Sequence, residues 1–171
     1  TGQGGTNGAG VSFQYNPSTN TFTKILDFVG SSNGSQPLGS LMQATDGSLY
    51  GMTTYGGLFG MGTLFQYNLG TSTYTKKFDF GGSRNGNYSG GSLVQASDGN
   101  LYGMTQIGGA NNMGVLFQHN PGTNTYTKKV DFAGSSNGHY PNGTLMQATD
   151  GNLYGMTQIG GVNNMGVLFQ Y

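Results

Sequence analysis

Hydrophobic and polar residues alternate along this chain in short runs, broken by Gly, Asn, Asp and Pro. Period-two runs bounded by turn residues predict half-buried strands. Thr144–Thr149 (TLMQAT) is one such strand, and Ser92–Ser97 (SLVQAS) is its counterpart earlier in the chain. Asp150-Gly151 follows and predicts a two-residue type I′ turn. Asn152–Gln158 (NLYGMTQ) then pairs back. A loop with Gly160-Gly161 and Asn163-Asn164 leads to a third strand, Gly166–Tyr171 (GVLFQY). The fourth strand is read one copy earlier, at Thr125–Phe132 (TYTKKVDF), entered through Asn120-Pro121-Gly122. A longer loop, Ala133 to Gly143, leads onward. Alternation is imperfect in LYGM and VLFQ, as expected of strands covered on both faces.

The pattern recurs. GVSFQYN begins at Gly10, GTLFQYN at Gly62, GVLFQHN at Gly114 and GVLFQY at Gly166, each step being 52 residues. DGSLYGMT begins at Asp46, and DGNLYGMT at Asp98 and Asp150, with the same spacing. The repeat is therefore a unit of four short strands, present a little over three times without gaps. A four-stranded antiparallel meander of this length is the content of a β-propeller blade. The expected fold is all-β, with a partial blade over 1–39, blades over 40–91 and 92–143, and an incomplete blade over 144–171. A β-helix is the competing reading, but its coils are shorter and rarely use DG hairpins. By analogy with other propellers the strand before the DG turn is innermost. The Lys-bearing TYTKKVDF strand is then outermost, facing water.

Composition supports strands over helices. The 171 residues include 34 Gly, no Cys and no Trp. Interior Gly costs a helix about 0.5–1 kcal/mol each relative to Ala. Low-complexity disorder is disfavoured, because the 12% of aromatic residues recur at fixed spacing. Charged residues are only 7% and net charge is zero, with no basic cluster, so phosphate-neutralising nucleic-acid binding is not expected. No apolar run reaches the ~20 residues of a membrane-spanning helix, and no membrane insertion is expected. A Gly/Thr/Asn/Tyr-rich, charge-poor β chain suits an extracellular setting.

The repeat resembles the GloVer tandem-repeat family of secreted bacterial proteins, the choice-of-anchor repeat proteins. The resemblance rests on Asp98–Thr105 (DGNLYGMT), Gly108-Gly109, the G-x-LF strand Gly114–Phe117, and Asp131–Gly138 (DFAGSSNG). It covers essentially the whole chain. The family more often has Thr where Met52, Met104 and Met156 stand here. The resemblance implies export, a cell-surface or extracellular location and a propeller-like array, and it implies no catalytic residues. The strand order also looks like that of tachylectin-type sugar-binding propellers, whose binding residues do not map onto this chain.

Candidate chemistry belongs to the repeat. Every acid falls in one of two phases: Asp27, Asp79 and Asp131, or Asp46, Asp98 and Asp150. Calcium takes six to eight oxygens, usually with several nearby carboxylates. Single carboxylates fit turn-forming and loop-holding roles better, and no metal site is expected. His119 and His139 are lone substitutions in their phases, without the orienting partner and nucleophile of a catalytic triad. TQIGGANNMG lacks the Lys and the following helix of a phosphate loop. No catalytic residue and no cofactor are expected.

The best binding candidates are Tyr50, Tyr102 and Tyr154, whose rings could stack on sugars, with Asn111, Asn112, Asn163 and Asn164, whose amides could bind hydroxyls. Core packing and turn formation are the competing roles.

The expected function is an extracellular structural or adhesive repeat protein, a non-enzymatic scaffold or self-assembling module. Its partners would be copies of itself or the remainder of a longer repeat chain. The alternative is a multivalent, lectin-like propeller that binds glycans. Thr21–Phe28 could complete the last blade, leaving Val11–Tyr15 redundant, and two copies would make a six-bladed ring.

Overall fold

The computed structural model describes residues 1–171, and all of its regular elements are strands. Strands β1 (Val11–Asn16) and β2 (Thr21–Asp27) form a two-stranded sheet. The next sheet runs β3 (Met42–Gln43), β4 (Leu49–Thr53), β5 (Thr63–Asn68) and β6 (Thr73–Asp79), in chain order and antiparallel throughout. Its successor repeats that order with β7 (Val94–Gln95), β8 (Leu101–Thr105), β9 (Val115–Asn120) and β10 (Thr125–Asp131). The last sheet holds β11 (His139–Pro141), β12 (Met146–Gln147), β13 (Leu153–Ile159) and β14 (Leu168–Gln170). β13 is central there, pairing with the other three. The β3–β6 and β7–β10 sheets are propeller blades built as four-stranded antiparallel meanders, and the last sheet is four-stranded and antiparallel but branches at β13.

The core lies between blades. Tyr50, Met52, Leu64 and Phe80 of the β3–β6 blade bury against Leu93, Leu101 and Phe117 of the next. Tyr102, Met104, Leu116 and Phe132 bury in the same way against Leu145 and Leu153. An edge-to-face aromatic pair repeats at each junction: Phe28 on Phe65, Phe80 on Phe117 and Phe132 on Phe169, at 5.2–5.5 Å. Burial of each ring contributes about 1.5–3 kcal/mol, and each pair a further 0.5–1.5. This two-sided burial explains the unbroken apolar runs in LYGM and VLFQ.

The inner strands converge. Ser40 N–H donates to Ser92 Oγ at 2.7 Å, and Ser92 N–H to Thr144 Oγ1 at 3.3 Å. Gln95 Oε1 accepts the Thr45 N–H and Gln147 Oε1 the Ser97 N–H, both at 2.8 Å, so each blade ties the turn of the blade before it. A Cβ on Gly91 would collide with the Gly143 carbonyl, so only Gly permits this approach.

The DG turns depart from the expected type I′. That type needs positive φ at both central residues, and only Gly47, Gly99 and Gly151 have it. Gly47 N–H bonds Ala44 O at 2.9 Å and Ala44 N–H bonds Ser48 O at 3.0 Å. The loop is thus the three residues Thr45-Asp46-Gly47, a type I turn closed by a Gly bulge. Its cause is local: Asp46 Oδ1 accepts the Ser48 N–H at 2.9 Å, a bond repeated at Asp98 and Asp150.

Three further features were not expected from the pattern. The strand before the DG turn pairs over only two residues, as at Met146–Gln147 rather than the whole of Thr144–Thr149. The last strand is Leu168–Gln170, shorter than Gly166–Tyr171. A bulge at Ile25, Lys77 and Lys129 breaks the register of each outer pair.

Candidate functional site

The tyrosine and asparagine candidates form no common site. Tyr50 and Tyr102 are buried in the two inter-blade cores, while Tyr154 is partly exposed. Each hydroxyl donates to the Asp of its own DG turn: Tyr50 to Asp46 at 2.9 Å, Tyr102 to Asp98 at 2.9 Å and Tyr154 to Asp150 at 2.6 Å. Burial and the facing carboxylate raise the Tyr50 and Tyr102 hydroxyls well above the ordinary tyrosine range. They stay protonated as donors.

The asparagines stand past the opposite end of β8 and β13, in the loops after those strands. Asn112 and Asn164 take left-handed backbone at φ 56° and 55°, and their Oδ1 atoms accept the Gly108 and Gly160 N–H groups. Asn111 Nδ2 donates to Phe132 O at 3.0 Å, and Asn163 is exposed. These residues shape the loops.

The second Asp set holds the loops after β4 and β8. Asp79 accepts the Leu58 N–H at 2.8 Å and Asp131 the Ala110 N–H at 2.7 Å. Lys76 and Lys128 pair with these acids at 2.9 and 2.7 Å. Burial raises the Asp131 carboxyl, but the bonds from Lys128 and Ala110 outweigh it and leave it below the ordinary carboxylate value. No three His, Asp or Glu side chains gather in a metal-binding group.

His119 lies fully buried in β9 without a hydrogen-bond partner on either ring nitrogen. Burial, with a smaller contribution from Lys77, pushes its pKa down to about 4. A neutral imidazole with no partner is packed as an apolar group, not poised as a base. His139 stacks edge-on against Tyr140, their ring centres 4.1 Å apart.

Two concave features remain. A cavity of about 170 Å³ lies between the last two blades, lined by Ser97, Asp98, Tyr102, Gln147, Leu153 and Tyr171. Asp98 is lightly buried, which raises its pKa, but bonds from Asn100 and Tyr102 lower it further, so it is a carboxylate at neutral pH. A larger groove of about 360 Å³ lies between the β1–β2 sheet and its neighbour, bounded by Val11, Phe13, Phe28, Leu41, Met52 and Phe65. Pattern reading pointed to Tyr102 but missed Tyr171, Gln147 and the whole groove. The groove has no sequence signal, since its residues are ordinary core residues of the repeat.

Blades of this form, stacked face to face about converging inner strands, make the chain a β-propeller segment. It belongs to the Gloeobacter/Verrucomicrobia repeat family, whose pattern matches residues 1–171. Among solved structures it is similar to the extracellular domain of BT4673 from B. thetaiotaomicron, with a TM-score of 0.64 and 18% identity over 93% of this chain. It is also similar to TolB from Acinetobacter baumannii, with a TM-score of 0.58 and 16% identity over 94% of this chain. Both contain β-propellers, and the chain spans 18% and 36% of their lengths. No curated protein matches the sequence.

Proposed function

We propose that this chain is an extracellular structural or adhesive module that associates through its blade faces and carries no catalysis of its own. One comparison carries the reading. Met52 and Met104 are 4% and 3% exposed, whereas Met156, at the same phase, is 64% exposed. Leu64 and Leu116 are fully buried and Leu168 is 72% exposed. The last blade thus offers to solvent the face that its predecessors bury against a neighbouring blade. An apolar face of this kind marks an interaction site, and its complement is another blade of the same repeat, supplied by a second copy or by the remainder of a longer repeat chain. The charge-poor, Gly- and Thr-rich composition supports an extracellular setting.

Native mass across a concentration series tests this. The chain should exceed its single-chain 17.8 kDa as concentration rises, and Met156→Lys should shift it back to the monomer. A monomer at every concentration would overturn the reading.

The cavity at Asp98 supports a second reading, glycan binding. A carboxylate, an amide and the Tyr171 ring together supply acceptors for vicinal hydroxyls and a face for stacking. Glycan-array binding lost on Asp98→Asn would favour it, and a silent array would remove it.

A further inference from the structure

Tyr55 and Tyr88 meet edge to face at the end of the strands opposite the DG turns, with ring centres 5.0 Å apart and planes at 67°. Tyr55 follows β4 and is 40% exposed, while Tyr88, in the segment leading into β7, is half-buried. Buried bonds hold the pair in place. Thr54 Oγ1 donates to Ser89 O and Ser89 Oγ to Thr53 O, both at 3.1 Å, fixing the Tyr88 segment to the β3–β6 blade. Gln106 N–H donates to Tyr88 O at 3.1 Å, fixing the same segment to the β7–β10 blade. The two rings thus straddle a junction that is clamped from both sides.

Amides gather beside the rings. Gly90 lies two residues beyond Tyr88, so within about 7 Å along the chain. A Cβ at Gly90 would meet Gln106 Nε2 at 2.9 Å and Asn142 Oδ1 at 3.4 Å, so both amides border the space this glycine leaves open. The backbone does not demand Gly there: its φ is not positive, and Leu38 and Asn142 hold the same phase in other copies. The Tyr55 and Tyr88 hydroxyls and the Gln106 side chain make no hydrogen bond within the chain, whereas the Tyr50 and Tyr102 hydroxyls are engaged by Asp46 and Asp98. Asn142 bonds only the following Gly143 N–H, through Oδ1. The combination belongs to this junction alone. Ile107 and Ile159 stand at the phase of Tyr55, Leu38 at that of Gly90 and Thr54 at that of Gln106.

None of these groups is charged. An edge-to-face pair leaves the edge-on ring with faces its partner does not cover, and amides both donate and accept. A ring face beside convergent amides suits a sugar ring, whose C–H face packs on the aromatic while its hydroxyls bond the amides. We infer that Tyr55, Tyr88, Gln106 and Asn142 form a subsite for one ring of a neutral glycan. The inference rests on the glycan-binding reading above, and places the sugar at the opposite end of the strands from the Asp98 cavity. Because buried bonds already order the backbone, binding there costs little ordering.

Calorimetric titration with neutral oligosaccharides of glucose, galactose or mannose tests the subsite. At least one should bind, at one site per chain. Tyr55→Ile and Gly90→Leu each install the residue that another copy carries at that phase, and thermal melting checks that they fold. Each should weaken binding about tenfold. Gln106→Thr, which installs the residue of Thr54, should weaken it as well and leaves both rings untouched. Binding that survives all three substitutions would overturn this subsite while the glycan reading stood, and loss on Asp98→Asn would then assign the sugar to the cavity. No binding by any of these oligosaccharides would remove both.

Discussion

At His119 a single substitution in the repeat sets an acid response. The repeat places Tyr at this phase, as at Tyr15, Tyr67 and Tyr171. Burial holds the imidazole neutral with a folded pKa of about 4 against an ordinary 6.5. Below pH 6.5 the unfolded chain therefore takes up a proton that the folded chain refuses. Stability is complete above pH 6.5, falls between 6.5 and about 4, and loses nothing more from this residue below that. The loss should reach about 3 kcal/mol. Asp98 and Asp131 act separately, since their folded values are lowered: their contribution is present above the ordinary carboxylate range and fails only below about pH 4. Urea unfolding at stepped pH should thus show two stages, and His119→Tyr should abolish the upper one. An unchanged slope in the variant would show that another group titrates there. Gly103 makes a separate residue-scale prediction. A Cβ there would lie 2.6 Å from Phe117 Cζ and 2.9 Å from Leu93 Cδ2. Gly103→Ala should therefore cost about 1–3 kcal/mol through overpacking, read from the urea midpoint.

Between blades, the outer strand does more than face water. Tyr126 of β10 lies flat on Phe78 of β6, with ring centres 4.0 Å apart and planes 4° from parallel. Its hydroxyl donates to Asn85 O at 2.7 Å, as Tyr74 donates to Asn33 O at 2.8 Å one repeat earlier. Burial raises both hydroxyls, that of Tyr74 to about 12. Tyr126→Phe keeps the stack but leaves a carbonyl without its donor, and should cost about 1–2 kcal/mol. Thermal unfolding of this variant beside Tyr126→Ala separates bond from stack, since the Ala variant should lose considerably more. A second device staples successive blades through backbone alone. Tyr88 and Tyr140 hold left-handed φ of 56° and 54°, unusual for a bulky residue. Tyr88 N–H reaches Met61 O in the loop before it, and its carbonyl accepts the Gln106 N–H of the blade after it. Tyr88→Gly should be tolerated better than Tyr88→Val, because Val cannot adopt that backbone without strain. Equal loss from both, read from melting temperature, would show that the side chain and not the backbone matters.

For the molecule as a whole, interior junctions and outer faces obey the same contact rules, and only their occupancy differs. Met156→Lys should therefore weaken association while leaving the unfolding midpoint nearly unchanged, whereas Met104→Lys should unfold the chain by burying an unpaired charge. Far-UV circular dichroism with native mass distinguishes the two outcomes. The sequence by itself determined the 52-residue unit, its four strands and its blade architecture, because period-two alternation and turn residues act over a few neighbours and were repeated almost unchanged. It also assigned Asp46, Asp98 and Asp150 their turn role, since a short carboxylate bonds backbone two residues on, whereas the loops that Asp79 and Asp131 hold, 21 residues away, were set by the fold. What it could not resolve was set by contacts between repeats. Asp46-Gly47 reads as a two-residue turn until Asp46 is seen to bond Ser48. Tyr102 reads as either a ligand platform or a core residue until the next blade is seen to cover its ring. The groove at Leu41 is invisible in a sequence where its equivalents Leu93 and Leu145 are core. Tertiary structure decided these points because burial depends on which blade lies alongside, and equal residues at equal phases meet different neighbours.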